Sequence, residues 1–190
     1  KLLDIVKSMA GEEPITINIE DTKAIIKSGK SKFTLATLPA NDFPYKEKAD
    51  TNKPYTINIV DLDNVIGQTS FSMAVQDARH FLNGLFLELE GNKLTVVATD
   101  GHRLAMSSCT TTDSIEIPVS CIIPRKCIIE LKRILATFND NKENIAEVSI
   151  NNTEITIEVS TYTIKSKLID GNYPDYKKVF PESLPHKLSA

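Results

Sequence analysis

Apolar and polar residues recur along this chain with two periods, and the periods change in the same order twice. Leu2, Ile5, Val6 and Met9 fall at helical spacing with Lys1, Asp4 and Lys7 opposite, and Gly11 suits the end of that helix. Strand-like runs follow at 15–20, 24–28 and 33–38, the last alternating Phe33, Leu35 and Thr37 against polar neighbours. The unit leaves through Leu38-Pro39-Ala40-Asn41-Asp42-Phe43-Pro44. The second occurrence begins near Pro124, a residue suited to a first helical turn, with the stripe Ile128, Leu131, Leu135 and Phe138. Strands are predicted at 145–150, 154–159 and 162–169, the first two joined by a turn at Asn151-Asn152. This unit leaves through Leu168-Ile169-Asp170-Gly171-Asn172-Tyr173-Pro174, with Leu, aromatic and Pro in the register of the first exit. A helix, three strands and an aromatic-Pro exit, twice, is an internal repeat.

Between the repeats the pattern predicts another helix-plus-strand unit. A strand at 55–60 leads to a short helix capped by Asp61, with Leu62, Val65 and Ile66 inward. Residues 71–81 read as irregular. Strands at 82–90 and 93–99 flank a hairpin turn at Gly91-Asn92. A further strand runs to about 110, residues 110–114 read as a polar loop, and 117–123 as the next strand. Residues 1–48 therefore read as the second half of one domain, and the polar 49–54 as a linker. Residues 55–180 read as one complete domain of two halves, and 181–190 as the start of a further connection. The fold class is α+β, with helices on one face of antiparallel sheet.

The polar turn Thr99-Asp100-Gly101-His102-Arg103 interrupts an apolar run that resumes at Leu104. Gly101 tolerates the positive φ of a tight turn, so four polar side chains gather at a hairpin end. On residue types alone, a surface hairpin with polar ends is the better explanation, since Asp-Gly turns are common. Composition adds limits. The 190 residues suit one large or two small domains. No apolar run approaches the ~20 residues of a membrane helix. Cys109, Cys121 and Cys127 are odd in number and lack CxxC spacing, so they read as reduced cytosolic thiols, not disulfides or zinc ligands. The chain begins at Lys1, which suggests a piece of a longer protein. A net charge of −3 does not announce a nucleic-acid binder, but local potential follows the distribution of charge, not its sum.

Catalysis finds little support. His80, His102 and His186 show no HxxxH pairing, and no Gly-rich phosphate loop is present. Asp100, Asp170 and Asp175 would serve a two-metal nuclease only if folding brought them together. No catalytic residue, metal or cofactor is assigned. Two binding sites are better candidates. Leu104 and Val179 are apolar, Pro174 is rigid, and Thr99 and Gly101 are small, which suits a groove for a short extended peptide. Gln76, Arg79, His80 and Phe81 form one cluster suited to DNA, and Arg125, Lys126, Lys132 and Arg133 form another. Cations contact phosphates without reading sequence, and rings stack on exposed bases. The competing explanations are core packing for the leucines and a solvated helix face for the cations.

Three stretches carry a resemblance over essentially the whole chain. Thr99-Asp100-Gly101-His102-Arg103-Leu104, Ile122-Ile123-Pro124-Arg125-Lys126 and residues 168–176 resemble, in order, segments of the bacterial sliding clamps, the β subunits of DNA polymerase III. The resemblance implies a DNA-clamp fold and a cytoplasmic, non-catalytic processivity factor that rings duplex DNA as a head-to-tail homodimer. It implies a pocket for peptides of the polymerase α subunit, the clamp loader and other partners. Carried over by position, the pocket comprises Arg79, Leu82, Thr99, Gly101, His102, Arg103, Leu104, Pro174, Lys178 and Val179. Lys178 stands where the family often has Arg, and His80-Phe81 where it commonly has two Tyr. About one and a half domains are present on this reading, so the chain alone is expected not to close a ring. The alternative is a stand-alone peptide-binding adaptor with no DNA role.

Overall fold

Each predicted repeat folds as a helix followed by an antiparallel three-strand meander. The architecture is that of a computed structural model, which describes residues 1–9, 13–43, 54–138 and 145–180. The chain divides into two compact units, Lys1–Ala49 and Asp50–Ala190. Gly11, most of the predicted linker and residues 181–190 lie outside the described residues.

In the first unit, α1 (Leu2–Ser8) precedes β1 (Thr16–Glu20), β2 (Lys23–Ser28) and β3 (Ser31–Ala36), paired in that order. Ala24 and Ile26 of the central strand, two residues apart and so on one face of the sheet, are its buried side chains.

The second unit contains β4 (Tyr55–Asn58), α2 (Ile59–Gly67), β5 (Gly84–Thr99), β6 (Leu104–Pro124) and α3 (Arg125–Leu135). It ends with β7 (Ile145–Ile150), β8 (Glu154–Val159) and β9 (Tyr162–Lys167). One sheet has the order β4-β7-β8-β9, and β5 pairs with β6. Both helices contribute to one core: Leu62, Val65 and Ile66 from α2 pack with Ile128, Leu131 and Leu135 from α3 against strand residues such as Leu87, Leu94, Val148 and Ile157. Each such aliphatic side chain, taken fully out of water, contributes about 1.5–3 kcal/mol before entropy opposes it.

Four local expectations change. The α2 cap is Asn58, not Asp61: the Asn58 carboxamide oxygen accepts the Val60 and Asp61 N–H groups at 2.9 and 3.4 Å. Strand β4 therefore ends at Asn58, and Ile59 already belongs to the helix. Asp61 lies in the first turn, where its charge still favours the positive helix end. Leu82 closes a 3₁₀ turn, His80–Leu82, ahead of the strand it was expected to begin. Residues 110–114 are extended within β6 rather than a free loop. Thr112 donates its hydroxyl to the Thr56 carbonyl at 2.9 Å, and the Thr56 N–H donates to the Asp113 carboxylate at 3.1 Å. The polarity that suggested a loop instead satisfies the backbone of β4.

β5 is extended on either side of Gly91 but not straight. Tyr173 stacks on Phe86 with ring centroids 4.8 Å apart, and its hydroxyl is 3.5 Å from the Val97 carbonyl. Along a straight strand Phe86 and Val97 would be roughly 36 Å apart. One ring reaches both because β5 doubles back at Gly91, whose φ is +57°. The pairing to β6 divides at that point: residues 84–89 face 119–124, and residues 93–99 face 104–110.

Candidate functional site

The end of β5 and the start of β6 are joined by a turn that is hydrogen-bonded from within. The Thr99 hydroxyl donates to the Arg103 carbonyl at 2.6 Å and accepts the Gly101 N–H at 3.1 Å. One Asp100 carboxylate oxygen accepts the His102 and Arg103 N–H groups at 3.0 and 3.1 Å, and the other accepts Arg103 Nε at 3.0 Å. Those donors, led by the His102 N–H, hold the Asp100 carboxyl below its ordinary range. The guanidinium of Arg103 extends over the exposed Phe71 ring, 5.8 Å from its centroid.

A second loop, residues 74–83, closes on this turn through Arg79. Arg79 donates Nη2 to the Asp100 carbonyl at 3.1 Å. The same guanidinium grips Asp77, through Nε at 3.0 Å and Nη2 at 2.8 Å, and the Arg79 N–H adds a bond of 2.8 Å. The Arg79 side chain, then its backbone N–H, brings the Asp77 carboxyl down to about 2. Arg79 was predicted for both candidate sites, and its charge is committed to Asp77 and the hairpin turn. Leu82, at the far end of the loop, is fully buried, so it supports the site from the core.

Three of the remaining predicted peptide residues, Pro174, Lys178 and Val179, belong to the C-terminal segment, whose Tyr176, Lys177 and Phe180 border a concavity with Glu88, Lys93 and Met106. The Tyr173 hydroxyl reaches the Val97 carbonyl near the end of β5, and Pro174 follows it in the chain. Lys178 pairs with Asp175 at 3.0 Å, and Val179 is 64% exposed at the end of the 3₁₀ turn Tyr176–Val179. Leu104 is half-buried at the start of β6, and His102 and Arg103 are exposed.

The DNA candidates divide into three groups. Gln76, Arg125 and Lys126 border one concavity of about 540 Å³, together with Val75, Asn83 and Ile129. Arg125 is anchored at both ends, with its N–H on the Asn83 carbonyl at 3.0 Å and Nη1 on the Met73 carbonyl at 3.4 Å. Lys132 turns to the Ser70 hydroxyl at 3.3 Å, and Arg133 pairs with Glu130 at 3.0 Å. His80 and Phe81 sit on the 3₁₀ turn between the two loop ends, His80 exposed and Phe81 half-buried.

Asp77 and Asn83 were missed by sequence reasoning. The signal for Asp77 was its place two residues before Arg79 in a polar segment, while Asn83 gave none. Among the described residues, no group of three or more His, Cys, Asp or Glu side chains is arranged to hold a metal, and no helix is long and apolar enough to cross a membrane. The three cysteines are free; burial pushes Cys109 up to about 11 and Cys121 up to about 12.

Comparison with known proteins identifies the architecture around this turn. The family model for the DNA polymerase III beta subunit, central domain, matches residues 56–175. The chain belongs to the DNA polymerase III beta subunit family. The model for the N-terminal domain of the same family matches residues 1–47. The chain is 43% identical over 181 residues to the Pseudomonas aeruginosa beta sliding clamp, covering 95% of this chain and 48% of the relative. It is 38% identical over 190 residues to the Escherichia coli K12 beta sliding clamp, covering all of this chain and 50% of the relative. A crystal structure of the DNA polymerase III subunit beta from Pseudomonas aeruginosa superposes with a TM-score of 0.87 at 41% identity, covering 95% of this chain and 49% of that one. The chain thus spans about half the length of the curated relatives it matches. The helices and antiparallel sheets described above are those of the clamp fold.

Proposed function

We propose that this chain is part of a sliding clamp, a non-catalytic processivity factor of bacterial DNA replication acting in the cytoplasm. Residues 1–48 are the second half of its first domain, 49–54 the linker, 55–180 its second domain, and 181–190 the start of the passage to a third. The whole protein closes as a head-to-tail homodimer around duplex DNA. It tethers the polymerase α subunit, the clamp loader and other peptide-bearing partners without a cofactor. Topological linkage lets weak, sequence-blind phosphate contacts suffice, because sliding requires shallow energy wells.

The observation that carries this reading is the loop-on-turn assembly of Arg79, Thr99, Gly101 and Arg103, a hydrogen-bonded rim that leads into half-buried Leu104 and holds Arg103 over the exposed Phe71 ring. A rim of fixed polar groups beside apolar surface suits a short peptide with a few apolar anchors. Arg125 and Lys126, on the concavity with Gln76, suit phosphate. An NMR titration with a short peptide carrying one Gln and three Leu tests the first site, with shifts expected at Thr99, Leu104 and Val179. A parallel titration with a 20-base-pair duplex across a salt series tests the second. Reversing both charges at Arg125 and Lys126 should flatten the salt slope by about two units, one per phosphate contact. Peptide shifts with no DNA binding would favour the adaptor reading, and shifts confined to residues 1–43 would defeat both.

A further inference from the structure

We infer that Asn83 is a positioning residue, whose side-chain amide shapes the 74–83 loop so that Arg79 meets the hairpin turn while Gln76 borders α3. Its importance for partner binding rests on the clamp reading above; its action on the loop does not.

The Ala74 N–H donates to the Leu82 carbonyl at 3.0 Å and closes the ends of the 74–83 loop. Within the loop, Asn83 grips one residue from both sides. Its Oδ1 accepts the Asp77 N–H at 2.9 Å, and its Nδ2 donates to the Asp77 carbonyl at 2.8 Å. Only a short planar amide offers a donor and an acceptor at that spacing: Asp lacks the donor, Ser supplies one group, and Gln is a methylene longer.

Two consequences follow from fixing Asp77. Upstream, Gln76 holds a φ of +55°, a left-handed conformation that a non-glycine residue adopts only when its surroundings impose it. The grip on the next residue's N–H and carbonyl supplies that imposition. Downstream, the Asp77 carboxylate accepts three donors from Arg79, whose guanidinium then reaches Asp100. The backbone of Asn83 serves the other site, since its carbonyl accepts the Arg125 N–H at the start of α3. One residue therefore sets the loop against the hairpin turn through its side chain and against α3 through its backbone. Asn83 acts through Asp77 and need not touch a partner.

The test uses the 190-residue chain with Asn83→Ala and Asn83→Asp, the second retaining the volume and the acceptor for the Asp77 N–H. Nitrogen-15 NMR follows the Asp77 amide, its hydrogen exchange, and the Arg79 Nε–H signal. Affinities are measured for the Gln/Leu peptide and the 20-base-pair duplex. Asn83→Ala should speed Asp77 exchange and shift the Arg79 Nε–H signal, with the amides of Leu85 and Leu87 unmoved. Both affinities should fall about 3–10-fold, the scale of one or two lost neutral hydrogen bonds. Asn83→Asp should move the same two signals, because it loses the donor to the Asp77 carbonyl, and it decides the matter if the alanine variant does not fold. Unchanged Asp77 and Arg79 signals in the folded variants would overturn the inference, as would moved signals with both affinities intact. If the parent chain binds neither probe, the clamp reading fails, and the Asp77 and Arg79 signals still decide whether Asn83 positions the loop.

Discussion

The guanidinium of Arg79 lies where a side chain on Gly101 would begin. A Cβ at Gly101 would sit 2.9 Å from Arg79 Nη1 and 3.0 Å from Nη2. Gly101 also holds a φ of +89°. The residue is therefore glycine for two independent reasons, the conformation of its own turn and the approach of another loop. Since the same guanidinium is gripped by Asp77, the 74–83 loop and the hairpin turn form one surface instead of two adjacent ones.

Gly101→Ala should destabilise the chain by about 1–2 kcal/mol, from the left-handed backbone alone. It should also displace Arg79 and shift its Nε–H signal. Urea unfolding with the NMR spectrum measures both. A stability loss without any change at Arg79 would mean that the guanidinium is not seated on the turn.

The Asp77 carboxyl should titrate near pH 2 instead of its ordinary 3.8. The folded state then binds this proton less tightly than the unfolded chain. The contribution of the Asp77–Arg79 pair is complete above the unfolded value and is lost as pH falls from about 4 through about 2. Carbon-detected titration of the carboxyl should show this low midpoint, and Arg79→Gln should raise it toward the ordinary value. An ordinary midpoint in the parent chain would contradict the pairing.

Asn58→Ala should cost about 1 kcal/mol, the usual effect of losing a helix cap. Asp61→Ala should cost no more than about half as much, because Asp61 offers only its charge to the helix end. Chemical denaturation of the two variants ranks them, and the reverse order would restore Asp61 as the cap.

Leu82→Ala should behave as a core truncation, losing about 2–5 kcal/mol. Any fall in peptide affinity must then be measured at a temperature where the variant is fully folded. Thermal unfolding followed by circular dichroism decides; a melting temperature equal to the parent's would show that Leu82 is a surface contact.

The sequence alone determined what is written locally. Helical spacing at Ile128, Leu131 and Leu135 marked side chains that prove fully buried, because one face of a helix is set by its own period. The helix-plus-three-strand repeat was legible for the same reason, and turn chemistry marked the reversals at Gly91, Gly101 and Asn151. The Asn151 carboxamide does accept the Thr153 and Glu154 N–H groups. The wording around Thr99–Leu104 and 168–176 was enough to identify the family.

Tertiary structure decided which distant residues meet. Thr56 hydrogen-bonds across to Asp113, Arg79 to Asp100 and Tyr173 to Val97. Each pairing depends on strand register and loop closure over long separations, which no local period encodes. This is why the sequence could assign Arg79 to either site but could not show its bonds to Asp77 and the turn. It is also why Asn83 was invisible: an asparagine after an irregular segment has many possible partners, and only the closed loop brings the Asp77 peptide within reach of both ends of its amide.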